Sequence, residues 1–286
     1  ETGQATGFKQ NGSVSVAKTL ARLEELQRGA SMGKTFGLRI DELTPGEIKE
    51  RWPLLEVGDV VGGIFLPGDG QTNPIDTTQA LAKGARQRGA KILENTRVER
   101  IRVEKGRAVG VETASGYIAA DTVVLCAGMW SHRLAADVNV AVPLHAAEHF
   151  YIVTEPIDGL PGNLPVLRVQ DECAYYKEDA GKLLMGCFEP VAKPWGMQGI
   201  PESFCFDSLP EDYDHFEPIL EAAVRRVPAL GTAGIALFFN GPESFTPDDR
   251  YHIGEVPEVR DLFVATGFNS VGIAASGGVG KVVADW

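Results

Sequence analysis

Near its C-terminus the chain passes from an apolar strand straight into a turn of glycine, asparagine and serine, and from that turn into a helix of small residues. The strand is Leu262-Phe263-Val264-Ala265-Thr266, the turn Gly267-Phe268-Asn269-Ser270-Val271-Gly272, and the helix reads from about Ala274 to the end. The start of such a helix presents backbone N–H groups with no intrahelical partner and the positive end of a dipole. It suits an anion or the electron-rich edge of a cofactor ring. Spacing alone leaves an ordinary strand-to-helix connection equally open.

With 286 residues the chain has room for two cores or one large one. A net charge of −12 argues against nucleic acid and anionic membrane surfaces as partners. No apolar run approaches the roughly twenty residues of a membrane span. Cys126, Cys173, Cys187 and Cys205 stand far apart with no CxxC pair. A zinc site or dithiol motif is therefore not expected, and buried free thiols in a reducing compartment are. The chain opens on Glu1 and stops at Trp286 inside a helical pattern, so a piece of a longer polypeptide is expected.

Periodicity predicts a strand at Ser13–Val16 and an amphipathic helix at about Leu20–Phe36. Thr44-Pro45-Gly46-Glu47 has the form of a capping box with proline in the first helical position. A short strand at Val60–Leu66, a helix at Thr77–Arg88 and strands at Lys91–Leu93, Val98–Glu104, Ala108–Thr113 and Tyr117–Ala120 follow. Thr122–Cys126 reads as a buried strand ending at Ala127-Gly128-Met129-Trp130-Ser131, with a helix beginning at Ser131. Longer strands are predicted over Ala141–Thr154 and Val166–Glu189, a helix over Pro210–Val227 and a strand at Ile235–Phe239. No strict βαβ rhythm emerges. The reading is two interleaved subdomains, 67–141 with 243–286 on a cofactor side, and 1–66 with 142–242 around a sheet on a substrate side.

A dinucleotide-binding protein carries a Gly-x-Gly-x-x-Gly turn after its first strand, and this sequence contains none. The Gly277-Gly278-Val279-Gly280-Lys281 run is not a phosphate loop, because its glycine spacing is wrong and Val282 stands where Ser or Thr should follow the lysine.

Two strands hold the residues with chemistry. In Glu148-His149-Phe150-Tyr151-Ile152-Val153-Thr154, alternation puts His149, Tyr151 and Val153 on one face and Phe150 and Ile152 on the other. On residues alone His149 also fits a satisfied polar group on a half-buried sheet. In Arg168-Val169-Gln170-Asp171-Glu172-Cys173-Ala174-Tyr175-Tyr176, the two tyrosines face opposite ways, and both also suit plain sheet filling. Arg168 fits a fork for a carboxylate, or a surface arginine.

The words Gly241-Pro242-Glu243-Ser244-Phe245-Thr246-Pro247-Asp248 and Gly267-Phe268-Asn269-Ser270-x-Gly272 resemble the flavin-binding segment of the D-amino-acid-oxidase-like flavoproteins. The resemblance is greatest to the sarcosine and dimethylglycine dehydrogenases and extends over nearly all of the chain. It implies a mixed α/β (α+β) fold, in which an incomplete Rossmann-like FAD-binding subdomain interleaves with an antiparallel-sheet substrate subdomain. It implies FAD as cofactor, with the nucleotide turn, and the histidine that carries the flavin covalently in many members, upstream of this chain. On that expectation the chain alone holds FAD poorly or not at all.

The resemblance places catalytic roles on His149 and Tyr175 and substrate binding on Arg168, with His145 at a variable position. It places FAD contacts on Val98, Ala127, Gly128, Trp130, Gly267, Asn269, Ser270, Gly272, Ile273 and Ala274, and no metal. The implied activity is oxidative demethylation of sarcosine or N,N-dimethylglycine by hydride transfer to flavin. A non-catalytic subunit like the regulatory partner of pyruvate dehydrogenase phosphatase, and a flavin oxidase for another amine or a D-amino acid, are the alternatives. Implied partners are the amino acid, an electron-transferring flavoprotein, and tetrahydrofolate through a region beyond Trp286. The implied location is bacterial cytoplasm or mitochondrial matrix.

Overall fold

Alternating apolar residues lay down the first strand, β1 (Ser13–Ala17), with Val14 and Val16 fully buried. The computed structural model describes residues 1–286. They pack as two units, one of residues 1–89, 149–192 and 208–241, the other of 90–148, 193–207 and 242–286. Residues 67–89 fall in the first unit and 142–148, 193–207 and 242 in the second, where the sequence-based division drew the bounds otherwise.

In the first unit, Thr19 caps helix α1 (Leu20–Thr35), its hydroxyl accepting from the Arg22 N–H at 3.1 Å. Strand β2 (Asp41–Leu43) leads to helix α2 (Pro45–Arg51), where the capping box forms. The Thr44 hydroxyl accepts from Glu47 N–H at 3.3 Å, and the Glu47 carboxylate accepts from Thr44 N–H at 2.8 Å. After β3 (Gly62–Leu66), helix α3 (Pro74–Gln87) starts three residues before the predicted Thr77. Asn73 accounts for this, its side-chain oxygen accepting from Ile75 and Asp76 N–H at 3.0 and 3.1 Å ahead of a proline at the first turn.

The second unit supplies β4 (Val98–Glu104), β5 (Arg107–Thr113) and β6 (Gly116–Ala119), an antiparallel meander. Lys91–Leu93 forms no strand. Strand β7 (Val123–Leu125) buries only Leu125, and Val124 is exposed, which corrects the expectation of a buried strand. As an edge strand β7 has a neighbour on one side only. A short 3₁₀ turn (Gly128–Trp130) and helix α4 (Ser131–Ala136) follow.

Strands β8 (His145–Thr154), β9 (Val166–Val169), β10 (Ala174–Asp179) and β11 (Lys182–Cys187) come next, then helix α5 (Tyr213–Arg226) and β12 (Ile235–Phe245). β12 runs well past the predicted Phe239 and includes Pro242, which an edge strand tolerates because one row of its N–H groups needs no partner. Strands β13 (His252–Glu255) and β14 (Leu262–Thr266) and helix α6 (Gly272–Asp285) complete the chain.

Eight strands form one sheet in the order β12-β8-β11-β10-β9-β1-β3-β2. One face buries Val14, Val16, Phe150, Ile152, Leu167, Tyr176 and Met185 against Trp52 and the α5 stripe of Phe216, Ile219, Leu220, Ala223 and Val224. Each large fully buried side chain there contributes about 1.5–3 kcal/mol. The Trp52 indole N–H donates to the Pro165 carbonyl at 2.8 Å, so its polar edge is satisfied. On the other face, α1 covers only the β1–β3 end, through Leu26, Ala30, Ile40 and Ile64. In the second unit the sheet β13-β14-β7 packs its Leu125, Leu262 and Val264 with Ile101, Ala108 and Ala135.

Candidate active site

The open face of the large sheet carries a row of residues in register. Ser15 on β1 pairs with Arg168 on β9, Arg168 with Tyr175 on β10, Tyr175 with Gly186 on β11, and Gly186 with Tyr151 on β8. Directly paired residues share a face. The burial pattern agrees: Leu167, Val169, Tyr176 and Met185 are buried, while Arg168 is exposed and Tyr175, Tyr151 and His149 are half-buried. The two tyrosines do face opposite ways. Tyr176 packs edge-on to Trp52 at 6.4 Å, and burial pushes its phenol pKa upward.

Tyr175 reaches across β11 towards β8. Its hydroxyl lies 3.1 Å from His149 Nε2, a hydrogen bond whose donor depends on the histidine tautomer. The two rings are nearly parallel, 4° apart, with centroids 6.2 Å apart. Phe188 packs on both, its centroid 4.8 Å from His149 and 5.5 Å from Tyr175. Further along the same face, Tyr151 stacks on Phe239 at 4.7 Å, and partial burial raises the Tyr151 pKa. Arg168 stands beside Tyr175, and no carboxylate of the chain forms an ion pair with it. The face thus combines the Arg168 cation, one histidine–phenol pair and aromatic walls. That set can hold a carboxylate at one end, pack a cationic methylated nitrogen, and exchange a proton with it.

In the second unit, β7 and β14 run parallel as neighbours, pairing Leu262 with Val123 and Val264 with Leu125. Their C-terminal ends therefore lie together, the usual place for a ligand in such sheets. The turn after β7 holds Ala127 and Gly128, and that after β14 holds Gly267–Ser270. The Thr266 hydroxyl donates to the Gly128 carbonyl at 3.4 Å and joins them. Gly128 has φ +53° with open space where a Cβ would project, while a Cβ at Gly267 (φ +75°) would strike Thr246 and Leu144. Asn269 and Ser270 are also left-handed. The Asn269 side-chain oxygen accepts from Thr246 N–H at 2.9 Å and its amide donates to the Thr246 hydroxyl at 3.0 Å. Ser270 donates to Glu243.

Helix α6 begins at Gly272, two residues earlier than predicted, and no side chain caps it. Its first i→i−4 bond is Ala275 N–H to the Val271 carbonyl at 2.9 Å, so the N–H groups of Gly272, Ile273 and Ala274 precede the ladder. Ser131, behind the Ala127–Gly128 turn, buries a hydroxyl oxygen that has no partner. The exposed backbone, the uncapped helix start and this orphaned hydroxyl fit one edge of a polar ring cofactor. Trp130 is exposed in the same turn, whereas Val98 lies on the separate meander, paired with Thr113. His145 is exposed, with Nε2 at 3.1 Å from the Met197 sulfur. No group of three His, Cys, Asp or Glu side chains is placed to hold a metal ion.

Sequence reasoning missed Phe188 and Gly186. Phe188 gave no signal, since an aromatic after a strand is commonplace. Gly186 did give one: an isolated glycine inside the apolar run Leu183-Leu184-Met185-Gly186-Cys187 marks a close approach.

Comparison with known proteins bears out the resemblance over the whole chain. The family model described as FAD dependent oxidoreductase (DAO) matches residues 1–286. A 4-methylaminobutanoate oxidase (formaldehyde-forming) of Paenarthrobacter nicotinovorans is 42% identical over 100% of this chain and 34% of its own length. The mitochondrial pyruvate dehydrogenase phosphatase regulatory subunit of Mus musculus is 39% identical, over 100% of this chain and 33% of its own. Human mitochondrial sarcosine dehydrogenase is also 39% identical, over 100% and 31%. The chain therefore spans about a third of the length of these relatives. Among solved structures, L-proline dehydrogenase from P. horikoshii superposes with a TM-score of 0.85 at 26% identity, over 98% of this chain and 72% of that one. The mixed α/β fold expected from the resemblance holds.

Proposed function

The chain belongs to the FAD dependent oxidoreductase family, and from that membership we propose that it forms the substrate-binding and flavin-edge portion of an enzyme that oxidises small N-methylated amino acids, with sarcosine or N,N-dimethylglycine as substrate. The observation that carries this reading is the His149–Tyr175 hydrogen bond at 3.1 Å on an open sheet face beside the unpaired Arg168.

Arg168 takes the substrate carboxylate with its planar fork and so fixes which end of the molecule meets the histidine. An amine at neutral pH arrives as an ammonium ion, whose nitrogen has no lone pair. Loss of the N-methyl hydrogen with its electrons requires that lone pair, which stabilises the resulting iminium carbon. Proton removal from nitrogen therefore has to precede or accompany oxidation. Histidine titrates near neutral pH, and His149 is the group we assign to receive that proton. Tyr175 holds the imidazole in one orientation and tautomer. Phe188, Tyr151 and Phe239 present ring faces that attract the methylated cation before it is deprotonated.

FAD, when bound, supplies the acceptor for the two electrons. On this chain we assign its contacts to Val98, Ala127, Gly128, Trp130, Gly267, Asn269, Ser270, Gly272, Ile273 and Ala274. The uncapped N–H groups at the start of α6 favour negative charge on whatever edge they face. We assign oxygen or an electron-transferring flavoprotein as the acceptor that would take the electrons onward, and tetrahydrofolate, bound outside this chain, as the group that would take the one-carbon unit. The named relatives are a bacterial protein and mitochondrial proteins, and we assign this one to the bacterial cytoplasm or the mitochondrial matrix.

The test uses the full-length polypeptide carrying FAD. Anaerobic mixing with sarcosine or dimethylglycine is expected to bleach the flavin absorbance. His149→Ala is expected to slow bleaching by about 10²–10³-fold while the flavin content stays unchanged. Bleaching at the wild-type rate would remove His149 from the reaction. A second reading, a regulatory subunit, is favoured by the 39% identity to the phosphatase regulatory subunit. It requires that no small N-methyl amine, other amine or D-amino acid bleaches the flavin.

A further inference from the structure

We propose that Gly186 is a positioning residue for the amine oxidation, the empty seat that lets the Tyr175 phenol cross β11 to His149. The inference rests on the reading above and deepens it.

Glycine in the interior of a central strand weakens that strand and calls for a reason. The backbone offers none at Gly186. Its φ is outside the left-handed region, and no backbone atom is among the three nearest to a Cβ built there. All three belong to the Tyr175 side chain: the phenol oxygen, Cζ, and Cε1, the last at 2.8 Å. Gly63, in β3, contrasts with it, since a Cβ there would strike the Ser15 backbone carbonyl, a matter of strand packing. At 186 the excluded space is taken by one side chain, and that side chain makes a 3.1 Å bond to His149.

The register makes the consequence definite. Tyr175 pairs with Gly186, and Gly186 with Tyr151, so Tyr175 is separated from β8 by the full width of one strand. The only path for the phenol at sheet level lies over residue 186. Any Cβ there lifts the ring away from the sheet or turns it aside. Either movement lengthens the bond to His149 and disturbs the packing of Phe188 on both rings. Gly186 touches neither substrate nor cofactor in this scheme. It acts through Tyr175.

The experiment is a double-mutant cycle on the full-length FAD-loaded protein, comparing wild type, Gly186→Ala, Tyr175→Ala and the double variant. Anaerobic flavin bleaching is followed from pH 6 to pH 10. Gly186→Ala is expected to slow bleaching by about 10²-fold, a loss typical of misplacing a group by an ångström, and to shift the pH profile in the direction Tyr175→Ala does. In the Tyr175→Ala background the same change should have no further effect, because the ring it would strike is gone. An equal loss in both backgrounds, or a wild-type rate and profile for Gly186→Ala, would overturn the proposal. Should Gly186→Ala fail to fold, recovery of folding in the double variant supports the clash, and failure of both overturns it. If no amine bleaches the wild-type flavin, the activity is wrong. The seat is then judged from ¹⁵N-histidine NMR, in which the His149 Nε2 signal should move in Gly186→Ala as it does in Tyr175→Ala, and an unmoved signal overturns it.

Discussion

Arg168 is an exposed cation without an internal partner in a chain of net charge −12. Several other arginines are taken up by carboxylates: Arg22 by Asp171, Arg107 by Asp261, Arg226 by Asp59 and Glu172. A position that stays unpaired among so many carboxylates is available for a carboxylate from outside. Arg168→Lys should raise the KM for the amino acid about tenfold and Arg168→Met about a hundredfold, as expected for one or two charge-assisted hydrogen bonds, with kcat little changed. Steady-state kinetics on the full-length protein decides it, and an unchanged KM would make Arg168 a plain surface residue. At this scale the sequence was legible for the shared face of His149 and Tyr151 and for the opposed faces of Tyr175 and Tyr176, because alternation alone gives both. It was not legible for the reach of Tyr175 to His149, which depends on β11 lying between their strands, a matter of sheet order.

The short 3₁₀ turn Gln170–Glu172 links the strand of Arg168 to that of Tyr175. Its hold is an ion-pair network. Glu172 accepts from the nearly buried Arg226 at 2.6 Å and from Lys18 at 3.0 Å, and Arg226 and Lys18 also engage Asp59, at 2.7 and 3.0 Å. The hydrogen bond from Arg226 brings the Asp59 pKa down to about 2. That value lies below the roughly 3.9 of an unfolded aspartate, so the stabilisation is complete above about pH 4 and fades as pH falls towards 2. Arg226→Met leaves the largely covered Glu172 with only Lys18, and should cost about 3 kcal/mol, the low end for a broken buried pair. Asp59→Asn should cost less and flatten the fall of Tm between pH 4 and pH 2. Thermal melts across that range test both, and equal acid sensitivity in wild type and Asp59→Asn would contradict the assignment. The sequence read residues 166–189 as extended. The turn at 170–173 escaped because its partners, Lys18, Asp59 and Arg226, are distant along the chain, and a local window holds no trace of them. The Thr44–Glu47 box was foreseen because all of its partners lie within four residues.

For the molecule as a whole, the strand–turn–helix at the C-terminus and most element positions were readable, since each rests on short-range periodicity. Which cysteines are buried was not, because that depends on which elements come to cover them. Cys187 is the one buried thiol, and burial, reinforced by Glu189, drives its pKa well upward. Cys126 and Cys205 are exposed, against the expectation of buried thiols, and Cys173 is half-buried. Cys126 directly precedes the Ala127–Gly128 turn. The protein thereby carries a natural chemical reporter at the doorstep of its assigned flavin edge. An alkylating reagent should modify Cys126 and Cys205 in the native full-length protein and spare Cys187 until denaturant is added. Loading with FAD should then slow modification at 126 and leave 205 unaffected, so peptide mass spectrometry can follow occupancy without a spectroscopic label; equal rates at 126 with and without FAD would place the flavin elsewhere.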